Sequence, residues 1–253
     1  MAGKGTDELI DRQSEMNNLI YGTEIGINPE LIYFDIESGL KITRKLESSK
    51  ALTPELAREG QIMQKIINLF QRLHYSKKPM TNRFDLFGLM GHYENLVQEV
   101  QPFMMEKIAH MKEHILALKK EYETMEVIEA PCHIDTVPAN ILVDKKDQLY
   151  LIDWEYSGMF DPMWDIATLF QRLFFTEEEQ LFFLKTYFGR DPRPEEMQRI
   201  LLHEIFQDYL WCLWTIYKEA KGEDYGALAM ERMERAMKNI AEYNTTYNFD
   251  DVV

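Results

Sequence analysis

The stretch from Pro131 to Asp165, PCHIDTVPANILVDKKDQLYLIDWEYSGMFDPMWD, limits what this chain can fold into more than any other. Two apolar runs, Ile141-Leu142-Val143 and Leu149 to Ile152, flank the polar turn Lys145-Lys146-Asp147. That is the pattern of an antiparallel hairpin. Past Asp165, by contrast, every segment is patterned for helix. The residues by themselves therefore point to a mixed, helix-rich fold.

The same stretch carries a set of oxygen-bearing side chains. His133, Asp135 and Asn140 stand as H-x-D-x-x-x-x-N ahead of the hairpin, and Asp153 closes its second strand. Such a set suits Mg²⁺, which prefers hard oxygen donors and keeps waters and phosphate oxygens in its shell. Phosphoryl transfer asks a protein chiefly to position the reactants and neutralise charge. A carboxylate at a strand end is held by a rigid element yet can face a cleft. A capping Asp and a turn Asn in an ordinary hairpin would give the same letters, so the spacing alone is a weak motif.

Within its context, LIDWEYSGMFDPMWDIA, the stretch resembles the catalytic and metal loops of the choline/ethanolamine kinase and aminoglycoside phosphotransferase superfamily, and most of all those of bacterial choline kinases. The resemblance implies a protein-kinase-like α+β fold. Residues 1–47 would be part of the N-terminal nucleotide lobe and 48–253 a mainly helical catalytic and substrate-binding lobe, with the catalytic hairpins at their junction. It implies ATP as co-substrate and Mg²⁺ held by Asn140 and Asp153. Asp135 would be the base or hydroxyl-orienting group, with His133 and Asp165 bracing the loop. Glu15, in R-x-x-E with Arg12, would face a basic residue on a neighbouring strand, and the segment from Lys45 to Lys50, with Glu47, would be the nucleotide hinge. An ion pair between Arg12 and Glu15 on a helix surface would look the same. Relatives continue upstream of Gly3-Lys4-Gly5-Thr6 into a glycine-rich loop and a strand with a phosphate-gripping basic residue. Gly3-Lys4-Gly5-Thr6 is no substitute, because it lacks the glycine spacing and preceding strand of a P-loop.

Trp211 and Trp214, in LWCLW, share a helix face. A quaternary ammonium donates no hydrogen bond and is held by aromatic faces backed by carboxylates, although aromatic residues at this spacing also fill cores. The resemblance assigns this W-x-x-W to the choline site, with Tyr225 beside it and Leu228 where the family has a further aromatic. Trp154, Glu155, Tyr156 and Asp161 would line the same cleft. The implied reaction is phosphorylation of choline. The alternatives are ethanolamine or an aminoglycoside as acceptor, or a non-catalytic choline-binding homologue.

Composition sets the remaining bounds. A formal charge of −15 argues against a nucleic-acid partner, whose footprint is basic. No window approaches the roughly eighteen apolar residues of a membrane span, and the charged start has no signal-peptide core. Two distant cysteines, Cys132 and Cys212, fit a reducing cytoplasm. Helices are expected over 7–21 with Thr6 as cap, from Thr53 to His74, within 93–122, from Thr176, from Pro194 to Tyr217 and over 224–243. Strands are expected at 31–34 and 40–43, with FGLMG as a connection.

Overall fold

The structure, a computed structural model, describes residues 10–247. The expected cap Thr6 and first helical residues 7–9 lie outside them. The chain forms two compact units, Met1–Phe84 with Ile128–Arg193, and Asp85–Val127 with Pro194–Val253.

Among the described residues, the first unit holds every strand. Helix α1 (Arg12–Glu24) is capped by Asp11, whose carboxylate accepts the Gln13 amide at 3.0 Å. A two-stranded antiparallel sheet follows, β1 (Leu31–Phe34) and β2 (Lys41–Thr43), its turn closed by Gly39 at φ +67°. The expected hairpin is present as β5 (Ile141–Val143) and β6 (Leu149–Leu151), with Leu142 opposite Tyr150. Strand β3 (Lys50–Ala51) pairs with β5, and β4 (Ala130–Cys132) with β7 (Gly158–Phe160), antiparallel in both cases. Neither β3 nor β7 is legible in the sequence, since two or three residues, one a glycine, give no alternation to read.

The helix expected from Thr53 to His74 is two. Thr53 caps α2 (Pro54–Ala57), but the backbone turns extended at Glu59 before α3 (Gly60–His74). Arg58 anchors the break by donating to the carbonyl oxygens of Pro54, Leu173 and Phe174. Ile62, Ile66, Ile67, Phe70 and Leu73 of α3 are buried, each contributing about 2 kcal/mol of apolar transfer. Helix α7 (Met163–Leu173) is buried on nearly all sides. Helix α8 (Glu177–Phe188) begins with the expected capping box of Thr176 and Glu179.

The second unit is all helix: α4 (Leu86–Val100), α5 (Pro102–Lys107), α6 (Ala109–Thr124), the long α9 (Pro194–Ala220) and α10 (Leu228–Tyr247). FGLMG is therefore helix rather than connection. Asp85 caps it by accepting the Gly88 amide at 2.9 Å, and the cap together with burial of Leu86, Met90, Tyr93 and Val97 outweighs the two glycines. The last helix starts four residues later than expected, because Asp224 accepts the Gly226 amide in a turn with Gly226 at φ +61°. Among the described residues no helix is long and apolar enough to cross a membrane.

Candidate active site

In the first unit, the loop between β4 and β5 is fixed from beneath. Asp165, fully buried in the first turn of α7, accepts the amides of His133 and Ile134 at 2.8 Å, one on each oxygen, and lies 3.1 Å from His74 Nε2. Ile134 sits at φ +72°, a conformation a β-branched residue rarely adopts. It is held there because its carbonyl also accepts Trp164 Nε1 at 2.8 Å. His133 is fully buried, and its Nε2 donates to the Ile152 carbonyl at 2.9 Å, which ties the loop to the end of β6. Burial pushes its pKa down, so the ring is neutral. The side chains of His133 and Asp165 are both fully buried and brace the loop from within rather than lining a cleft.

Asp135 stands above this brace, partly exposed. Asn140, in the single 3-10 turn Pro138–Asn140, donates its amide to Asp135 Oδ2 at 2.8 Å and to the Asp135 carbonyl at 2.9 Å. That leaves Asp135 Oδ1 and Asn140 Oδ1 as acceptors for something else. Burial, with the Asp153 charge second, pushes the Asp135 carboxyl up to about 6. Asp153 follows β6 in the left-handed region at φ +68°, with its side chain 42% exposed.

The acidic side of the site has a cation that the sequence did not disclose. Lys41 Nζ, on β2, lies 2.8 Å from Asp153 Oδ1 and 3.0 Å from Glu15 Oε1, while Arg12 takes the other Glu15 oxygen at 2.8 Å. Glu15 is 1% exposed, with both oxygens in ion pairs, to Lys41 and to Arg12. One oxygen each of Glu15, Asp153 and Glu155 lie within 4.8 Å of one another. Burial and the Asp153 and Glu15 charges push the Glu155 carboxyl up to about 7. The only hint of Lys41 in the sequence is one basic residue in the short strand-like run Leu40 to Thr43.

Other expectations change. Trp154 is fully buried, donates to Asn28 Oδ1 at 3.1 Å and packs edge-on to His133; it is core and does not line a cleft. Asp161 is also fully buried and accepts the Met163 amide at 3.0 Å, holding the first turn of α7 instead of a substrate. Glu155 and Tyr156 stay partly exposed. Lys45 and Glu47 are exposed on the irregular segment 44–49, where Glu47 pairs with Lys145. His74 is buried between Asp165 and the Tyr187 hydroxyl, 2.8 Å from the latter.

The second unit carries the aromatic group. Trp211 and Trp214 on α9 stand edge to face at 6.4 Å between centroids, and Tyr225 meets Trp214 at 5.2 Å. All three are half-buried, so they are not simply core. Glu223 adds a carboxylate that sequence reading missed. It accepts the Tyr225 hydroxyl at 2.5 Å and pairs with Lys218, whose Nζ lies 5.8 Å from the Trp214 ring. Partial burial and Glu223 push the Tyr225 hydroxyl up to about 12.

A family model described as choline/ethanolamine kinase matches residues 1–243. The chain is 34% identical over 240 residues to protein LicA of Haemophilus influenzae, covering 92% of this chain and 90% of that one. Among solved structures, choline kinase LicA of Streptococcus pneumoniae matches with a TM-score of 0.85 at 37% identity, over 96% of this chain and 85% of that one. A LicA structure in complex with AMP matches equally, with a TM-score of 0.85 at 36% identity, over 95% and 82%. An aminoglycoside 2'-phosphotransferase, at 14% identity and a TM-score of 0.63 over 94% and 83%, shows the fold alone. That fold is the protein-kinase-like α+β arrangement implied by the sequence.

Proposed function

The chain belongs to the choline/ethanolamine kinase family of phosphotransferases, and from that premise we propose that it transfers the γ-phosphoryl group of ATP to the hydroxyl of choline, giving phosphocholine. In this reading 1–47 is part of the nucleotide lobe and 48–253 the catalytic and substrate-binding lobe. The observation that favours choline over ethanolamine is the half-buried group of Trp211, Trp214 and Tyr225 with Glu223 behind it. Aromatic faces attract a methylated cation that has no N–H to donate, whereas a primary ammonium calls for more hydrogen-bond acceptors.

Asp135 has the chemistry to receive the choline hydroxyl. Its Oδ2 is occupied by Asn140, so the remaining oxygen accepts the hydroxyl hydrogen bond and takes the proton as the new O–P bond forms and the bond from the γ-phosphorus to the bridging oxygen breaks, releasing ADP. The residues present also fit a magnesium ion. Asn140 has its nitrogen committed to Asp135 and an oxygen to spare, Asp153 is exposed, and the donors are all hard oxygens. Asn140 and Asp153 would hold it. Bound there, the ion supplies charge neutralisation and orientation for the phosphate oxygens. Lys41, steadied by Glu15, keeps a positive charge beside the Asp153 carboxylate.

The test is a coupled ADP-release assay with choline, ethanolamine and an aminoglycoside at equal concentration. Choline is expected to be preferred. An ethanolamine preference would move the chain to the other branch of its family, and calorimetry showing choline binding without Mg·ATP binding would make it a binding protein.

A further inference from the structure

Helix α6 carries a feature that plays no part in the reaction. His110 and His114 stand four residues apart, one turn of helix, with their Nε2 atoms 3.1 Å from each other and ring centroids 4.4 Å apart. His110 is exposed and His114 half-buried, on a helix of the second unit that holds neither the aromatic group nor any catalytic residue. At this distance a ring with its hydrogen on Nε2 donates to the lone pair of the other, an ordinary N–H···N hydrogen bond. If both rings are neutral with hydrogen on Nδ1, two lone pairs oppose each other. A shared proton removes that repulsion, and so does a metal ion.

We propose that His110 and His114 form a surface chelate for a borderline divalent transition ion of the zinc, nickel or copper class. Two nitrogens at about 2.0–2.1 Å from one ion stand about 3.3 Å apart at a tetrahedral angle and about 2.9 Å at a right angle. The 3.1 Å separation lies between, so the nitrogen spacing already suits a shared ion. Glu113 supports the arrangement. Its Oε2 lies 3.6 Å from His110 Nδ1, too long for a good hydrogen bond but on the side that favours hydrogen at Nδ1 and leaves Nε2 as the ligand. Imidazole ligands select this ion class over magnesium, so the site is distinct from the oxygen donors around Asp153. Water fills the rest of the shell.

The ion would tie the first turn of α6 to the second. That end of the helix is poorly secured: Ile108 at the cap offers no side-chain hydrogen bond, and the first turn has no acidic residue. The helix dipole opposes a cation there, and the Glu113 charge offsets it.

The experiment titrates the full chain with zinc chloride by calorimetry at pH 7.5, with millimolar magnesium present to mask the oxygen-donor site. Saturable uptake of one zinc is expected, together with a zinc-induced rise in Tm. Both should be lost in His110→Gln and in His114→Gln, and Glu113→Gln should bind about tenfold more weakly. Both histidines are on the helix surface, and circular dichroism of the metal-free variants should match the parent. Zinc uptake equal to the parent's in both His variants overturns the proposal. So does a parent chain that takes up no zinc, which would leave the pair as a hydrogen bond between the two rings only.

Discussion

Asp135 and Lys41 carry the sharpest predictions at the scale of single residues. The Asp135 carboxyl is pushed up to about 6, and a base works only when ionised. The kcat/KM profile for choline is therefore expected to rise with pH through about 6 and level off above it. Asp135→Asn should lose about a hundredfold or more in kcat with choline affinity retained on calorimetry; full turnover in that variant would remove Asp135 from its role. Lys41→Met leaves Asp153 without its ion-pair partner and Glu15 with Arg12 alone. Expected results are a higher KM for Mg·ATP and a lower kcat, with the choline KM little changed and partial recovery in Lys41→Arg. A variant that alters only Tm would mean that Lys41 serves the fold and not the nucleotide.

At the scale of elements, α1 meets the loop after β6 through Asn18, which donates to the Ser157 carbonyl, and through the close approach of Gly22. A Cβ at Gly22 would come within 2.5 Å of the Trp154 ring, which is fully buried and held through its indole nitrogen. Alanine in mid-helix ordinarily gains about 1 kcal/mol over glycine, but overpacking costs about 1–3 kcal/mol. Because Trp154 cannot rotate away without losing its hydrogen bonds, overpacking wins. Gly22→Ala should lower Tm and weaken Mg·ATP binding by shifting the helix that carries Glu15. On α9, Trp211→Ala should raise the choline KM more than Trp211→Phe does, with kcat little affected, as measured by steady-state kinetics. Equal effects would argue that volume, not the ring face, is what counts.

Over the whole molecule, three carboxyls share one direction of shift. Burial pushes Asp135 up to about 6, Glu155 to about 7 and Glu204 to about 8, against ordinary values near 4. For Glu204, Asp208 raises it further while Arg235 pulls the other way. Between about pH 4 and 8 these three carboxyls bind more protons in the folded chain than in the unfolded one, which outweighs the opposite contribution of His133, so stability falls as pH rises through that window. The formal charge of −15 adds repulsion in the same direction. The urea midpoint is expected to fall from pH 5 to 8.5. Glu204→Gln should flatten the upper part of that slope without altering the bulk of the surface charge, and an unchanged slope would show that Glu204 titrates normally.

Features that neighbouring residues settle could be read along the chain. These are the hairpin around Lys145-Lys146-Asp147, the capping box at Thr176, and the facing of Trp211 and Trp214. The H-x-D-x-x-x-x-N loop and Asp153 also carry the likeness to the family. Turn chemistry, caps and helical spacing act over a few residues and so can be read along a chain. Only the tertiary structure decided the rest. Lys41 reaches Asp153 across 112 residues of sequence, Trp154 and Asp161 belong to the core, and β4 pairs with β7. Burial and ion pairing depend on groups that folding alone brings together, so no local pattern announces them.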